Sequence, residues 1–240
     1  MSNNGWNLEA AINSFYNSGG GSSSNSSSSN SSNTSSADPF SAAFDACKKK
    51  GIEEGADADV DAIQGSGLIE FAKRLSVDPE NDPYLLILSW VLQCENKYII
   101  SREELMDGMD DLDISSFKEL KNNPQKIRSQ IKSPTKFREF YKWVFDYIRD
   151  QRSISVEIAV AMWRMLLPSK FKYLTEWCNF VEKNQKNSIS KDTWNQFLLF
   201  VTSEGDKSSF PDEYDEENGA WPVLIDLFVE HIRSLKKIKS

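Results

Sequence analysis

Histidine is nearly missing from this chain: His231 is the only one in 240 residues. No Gly-x-Ser-x-Gly elbow, phosphate loop, dinucleotide fingerprint or zinc-ligand spacing accompanies it, so the motifs that announce hydrolase, nucleotide or metal chemistry are lacking. Cysteine is scarce too. Cys47, Cys94 and Cys178 are scattered, with neither even pairing nor metal-ligand spacing, and read as reduced thiols of a cytoplasmic or nuclear protein. Cys94 and Cys178 lie inside apolar helical patterns, as inert small hydrophobes. No secretory signal peptide is visible, and the longest apolar run, Tyr84 to Leu92, is interrupted by Ser89 and too short to span a bilayer. Basic charge also runs short: Lys and Arg number 28 against 36 Asp and Glu, a net charge of -8. That balance argues against nucleic acid or an anionic membrane as the main partner, since both demand a basic face; a basic protein surface fits better.

What the chain does have is aromatic mass. Seven Trp, 14 Phe and 7 Tyr are enough for a sizeable core, in one large domain or two small ones. Residues 18–37, from Ser18 to Ser36 nearly all Ser, Gly and Asn, hold nothing to repay the entropy of ordering and read as a disordered, low-complexity linker. Ahead of it, in residues 1–17, Trp6, Ala10, Ile12, Phe15 and Tyr16 follow one helical stripe that nothing in so short a piece could cover. The folded part is expected over 38–235, opening where Asp38 can cap a helix with Pro39 in its first turn.

Two helix-loop-helix units come first. In one, DADVD from Asp57 to Asp61 places three carboxylates at alternating positions, as a calcium loop begins. Position six from Asp57 is Ala62 instead of Gly and position twelve is Leu68 instead of Glu, so the sharp turn and the bidentate ligand are both missing and no metal is expected. The other runs Pro83 to Glu95, a loop Asn96 to Ile100, and Ser101 as N-cap with Glu104 three residues on, a capping box. Tyr98 to Ile100 is the one stretch with strand character.

Helical patterns fill the rest. Pro124 and Pro134 mark helix starts; Phe137, Phe140, Tyr141, Val144, Phe145 and Ile148 share one face, and Val156, Val160, Trp163 and Leu167 another, ended by Pro168. Phe171 to Val181 and Ser190 to Thr202 follow, the second capped by Ser190 or Asp192. Last, behind the acidic run DEYDEEN (Asp212 to Asn218), comes GAWPVLIDLFVEHI, with Pro222 in a first turn and Val223, Ile225, Phe228, Val229 and Ile232 at helical spacing. Asp226 falls away from those apolar positions and, with the small Ala220, leaves a carboxylate-bearing notch beside Trp221. An all-α fold of about ten helices is expected.

The segment GAWPVLID, with SKDTWNQFLLF (Ser190 to Phe200) and ELMDGMDDL (Glu104 to Leu112) ahead of it, resembles the potentiating-neddylation domain of the defective-in-cullin-neddylation, or DCN-like, family. The resemblance runs from about Phe40 to Arg233, rests on three separated motifs in order, and implies that the two helix-loop-helix units are degenerate EF-hands. Residues 1–17 are similar to the last helix of a ubiquitin-associated domain, its two preceding helices absent. In the family an Asp, an Ala and an Asp of these motifs grip the winged-helix domain at a cullin C-terminus, and Asp192, Ala220 and Asp226 match them. Leu68, Leu85, Leu86, Ser89, Leu92 and Ile100 match one wall, and Tyr147, Met162 and Met165 the other, of a pocket for the acetylated amino-terminal methionine of the conjugating enzyme. Gly65, where the family commonly has a branched aliphatic residue, and Ser89 and Tyr98, which replace small or thiol side chains, depart from the pattern. The resemblance thus implies a non-catalytic scaffold, without cofactor, that brings a conjugating enzyme to a cullin. The rival readings are an EF-hand-type calcium-responsive regulator and a plain acidic helical adaptor.

Overall fold

A computed structural model describes residues 40–205, 207–215 and 221–239. Residues 1–39, with the helical fragment, the linker and the Asp38-Pro39 start, lie outside them, as does Ala220. The described residues form eleven α-helices and four very short strands, in two compact units, 40–133 and 134–239.

In the first unit the order is α1 (Ser41–Glu53), β1 (Ala62–Gln64), α2 (Ser66–Leu75), α3 (Tyr84–Val91), β2 (Ile99–Ser101), α4 (Arg102–Asp111), α5 (Phe117–Asn122), α6 (Pro124–Arg128) and a 3-10 turn, Ser129–Ile131. The loops of the two helix-loop-helix units join as antiparallel strands, with Ile63 opposite Ile100. Ser101 and Glu104 form the expected capping box. Helix α3 ends at Val91, short of Glu95, because Gln93 takes φ 54° and the Cys94 N–H turns back to the Ser89 carbonyl at 3.0 Å; no Gly or Asn at position 93 marks that left-handed turn in the sequence. Gly65, ahead of α2, adopts φ 54° and ψ -130°, a region a branched side chain avoids. Gly67 lets α1 and α2 touch, for a Cβ there would lie 2.4 Å from the Cys47 carbonyl oxygen.

Within the first loop Asp61 is already engaged by cations of the chain. Arg102 Nε donates to Asp61 Oδ2 at 2.8 Å and Lys48 Nζ to its Oδ1 at 3.2 Å, while Arg102 also pairs with Asp45 and lies 4.2 Å over the Phe44 ring. Asp57 instead receives the Asp59 N–H at 2.9 Å. Among the described residues no cluster of three or more His, Cys, Asp or Glu could hold a metal ion.

The second unit repeats the plan, which the sequence reading did not foresee. Helix α7 (Pro134–Ile148) leads through β3 (Ser153–Ile154) to α8 (Val156–Leu166), and α9 (Leu174–Asn184) through β4 (Ile189–Ser190) to α10 (Lys191–Ser203); α11 (Val223–Lys239) closes the chain. β3 and β4 pair antiparallel, Ile154 opposite Ile189. In all four pairing loops an Ile enters the core, and in three of them the Ser after it caps the next helix: Ile100-Ser101, Ile154-Ser155, Ile189-Ser190; Ile63 of the first loop is followed by Gln64 instead. Phe171, expected inside a helix, precedes α9.

Around these elements the aromatic residues condense. Trp163, Trp177 and Trp194 are fully buried, Trp177 stacked on Phe197 at 4.1 Å and edge-on to Phe228 of α11 at 5.1 Å. Each such burial contributes about 1.5–3 kcal/mol. Tyr141 ties the cluster polar-side: Trp163 Nε1 donates to its hydroxyl at 2.8 Å, which donates to the Trp194 carbonyl at 3.2 Å, and Trp194 Nε1 donates to the Tyr141 carbonyl at 2.9 Å. α10 and α11, which carry the two candidate aspartates, are thereby built into one core.

Candidate functional site

Asp192 owes its position to the strand before it. Ile189 is buried in the β3–β4 pair, and the Ser190 side chain accepts the Thr193 N–H at 3.1 Å, capping α10. Ser190 therefore does the capping that the sequence left open between it and Asp192. Asp192 falls in the first turn, exposed, and makes no hydrogen bond or ion pair with any described residue. A carboxylate there also sits favourably in the field of the helix N-terminus.

Asp226 lies in the first turn of α11, which begins after Pro222 with the Ile225 N–H bonded to the Pro222 carbonyl at 2.8 Å. Ile225, Phe228, Val229 and Ile232 are buried as the spacing predicts. Val223, read as a member of that face, is instead 71% exposed, and Leu227 beyond it 48%. Asp226 is half-buried and accepts a 2.6 Å hydrogen bond from the Tyr214 hydroxyl. That short contact to a charged acceptor is of the stronger kind.

Tyr214 belongs to the acidic run that precedes α11. Its ring is buried, edge-on to Phe200 of α10 at 6.0 Å, and half-buried Trp221 meets the same Phe200 at 5.7 Å. Phe200 thus collects residues on both sides of Ala220. The alternation of Tyr with acid at DEYDEEN was the only signal that one member of the run faces inward.

The apolar residues assigned to the conjugating-enzyme pocket divide between the units. In the first, Leu68, Leu86, Ser89, Leu92 and Ile100 are buried and Leu85 is half-buried. In the second, Met162 and Met165 are buried on α8, and half-buried Tyr147 stacks on Trp143 at 4.3 Å. An open cavity of about 270 Å³ bounded by Arg164, Pro168, Phe171, Lys172, Leu174 and Thr175 contains none of the predicted residues.

The single histidine and the three cysteines are engaged in packing. His231 is half-buried against the Phe180 ring at 5.2 Å. Burial pushes the Cys47, Cys94 and Cys178 thiols up to about 12, far from a nucleophilic thiolate.

Comparison with known proteins adds an independent line. Residues 119–231 match the family model described as cullin binding, and residues 2–22, outside the described structure, match one described as a UBA-like domain. Over 173 residues the chain is 32% identical to DCN1-like protein 5 of Homo sapiens, covering 71% of this chain and 70% of that protein. DCN1-like protein 4 of Danio rerio is 32% identical over 173 residues, 71% of this chain and 60% of the relative. The defective in cullin neddylation protein AAR3 of Arabidopsis thaliana is 44% identical over 103 residues, 42% of this chain and 34% of its own length.

Proposed function

Because the chain belongs to the DCN1-like, cullin-binding family, we propose that it acts in cullin neddylation as a non-catalytic scaffold, holding a cullin C-terminal domain through Asp192, Ala220 and Asp226. The observation that carries this reading is the unspent carboxylate of Asp192: with Ser190 as the cap, no described residue neutralises it. Asp192 and Asp226 both stand in helix first turns of one aromatic core, so a basic partner meets two carboxylates on rigid elements. Truncating one member of a hydrogen-bonded charge pair at a partly desolvated contact costs about 2–5 kcal/mol.

The second partner in this reading is the conjugating enzyme, its acetylated amino terminus seated among Leu68, Leu85, Leu86 and Ser89 of α2 and α3, of which Leu85 is half-buried and the others buried. Acetylation suits such a seat because it removes an ammonium that burial would have to desolvate. Holding both partners raises the effective concentration of the thioester near the acceptor lysine to about the millimolar range, with no covalent step on this chain. The UBA-like match at residues 2–22 belongs to a separate amino-terminal element, with the cullin-binding part proposed over 38–235.

The test is the triple change Asp192→Ala, Ala220→Arg, Asp226→Ala, assayed by pull-down with purified cullin winged-helix domain and by modifier transfer. Loss of both, with circular dichroism unchanged, is expected. A folded triple variant that still stimulates transfer at the wild-type rate overturns the assignment.

A further inference from the structure

The hydroxyl that reaches Asp226 comes from neither α10 nor α11 but from the turn between them. Phe210 and Tyr214 bury their rings against Phe200, which seats residues 207–215 on α10. Arg233 stands two turns beyond Asp226 on the same side of α11 and reaches back to that turn. Its Nε donates to the Pro211 carbonyl at 3.0 Å, and its terminal nitrogen donates to the carbonyls of Asp212 and Tyr214. Lys236 adds an ion pair to Asp212 at 2.8 Å. The turn is therefore stapled to α11 at the very residue whose hydroxyl meets Asp226.

We propose that Tyr214 is a positioning residue for partner binding: stapled by Arg233, its hydroxyl fixes the Asp226 carboxylate in the orientation that receives a cationic side chain of the partner. The inference rests on Asp226 being a partner contact. Two effects oppose each other. A donated hydrogen bond draws some density from the carboxylate, which weakens its pull on a cation. Yet the hydroxyl carries no net charge, whereas an untethered, half-exposed Asp must be frozen into one rotamer when the partner docks. Asp226 makes no other hydrogen bond or ion pair with a described residue, so nothing else supplies that orientation. Preorganisation wins.

Binding of a cullin winged-helix domain is measured by calorimetry for the full chain and for Tyr214→Phe, Asp226→Ala and the double variant, with thermal unfolding of each alongside. Tyr214→Phe keeps the buried ring and is expected to weaken binding about three- to tenfold. Asp226→Ala is expected to weaken it at least about thirtyfold. In the Asp226→Ala background Tyr214→Phe is expected to change nothing further. Equal losses from Tyr214→Phe in both backgrounds would make Tyr214 merely structural and overturn the proposal. Wild-type affinity for Tyr214→Phe beside a weakened Asp226→Ala overturns the positioning role while leaving the interface intact. Wild-type affinity for Asp226→Ala overturns the interface reading and this inference with it. Arg233→Gln is the second variant: it loosens the staple without touching the hydroxyl, and its binding loss is expected to vanish in the Asp226→Ala background.

Discussion

Tyr141→Phe is the perturbation that most directly tests how the second unit holds α10 in place. The substitution removes one oxygen and leaves the ring, so it opens almost no cavity. Its cost lies in hydrogen bonding. Trp163 Nε1, on a fully buried side chain, loses the acceptor it has at 2.8 Å, and the Trp194 carbonyl loses a donor at 3.2 Å. An orphaned buried N–H costs about 1–3 kcal/mol and a lost neutral hydrogen bond about 0.5–1.5 kcal/mol. The carbonyl still takes its helical partner, so the smaller figure applies to it, and the sum is about 2–4 kcal/mol. Urea unfolding followed by tryptophan fluorescence and far-ultraviolet circular dichroism reads this directly. The same change in a Trp163→Phe background should cost distinctly less, since no indole N–H is then left unpaired. A loss below about 1 kcal/mol in the wild-type background, or one undiminished by Trp163→Phe, refutes the account.

Two further outcomes are expected. The Arg102 guanidinium, hydrogen-bonded to Asp61, holds that carboxyl below its usual range. A carboxylate with a depressed folded pKa stabilises above about pH 4 and loses that contribution as pH falls through the folded value. The stability gap between wild type and Arg102→Gln should therefore be open near neutrality and close in acid. Thermal unfolding across pH measures it, and a gap that widens in acid contradicts the pairing. Gly67→Ala places a Cβ 2.4 Å from the Cys47 carbonyl oxygen, a backbone atom that cannot step aside. Overpacking of about 1–3 kcal/mol exceeds the gain in helix propensity of at most about 1 kcal/mol, so the urea midpoint should fall. A raised midpoint would show that α1 and α2 have room to part.

The features legible in the sequence are those with a period or a chemical signature. The face Phe137 to Ile148 repeats every three or four residues and is buried as expected, and Ser101 with Glu104 announces its own cap. Strands β3 and β4 have two residues each, too few for any alternation to register, and only the Ile-Ser pairs before α8 and α10 betray them. Helix α3 stops short of the expected Glu95 because the backbone turns left-handed at Gln93, a residue type that does not announce such a turn. At the candidate site the residue types were visible but their duties were not. Whether Asp192 caps a helix or faces a partner depends on which of two neighbours reaches the Thr193 N–H. Tyr214 was concealed because an aromatic flanked by acids looks exposed until Phe200 and Asp226 are brought to it.

The pairing of Ile154 with Ile189 carries a consequence for the angular phase of α10. Ile189 is fully buried and Asp192 follows it by three residues, with only the capping Ser190 and Lys191 between them. Slipping the pairing by one residue would turn Ile189 to solvent, a cost the fold does not tolerate. One added residue between Ile189 and Asp192 would set this anchor about 100° out of phase with Trp194, Phe197 and Leu198, the buried face of the same helix, so that either the anchor or the helix, and Asp192 with it, would have to turn. Changes of length upstream, between Asn184 and Ile189, are absorbed before the anchor and leave the phase untouched. The core thereby sets the heading of a carboxylate that lies wholly outside it, and the tolerance of this chain to insertion should change abruptly at Ile189.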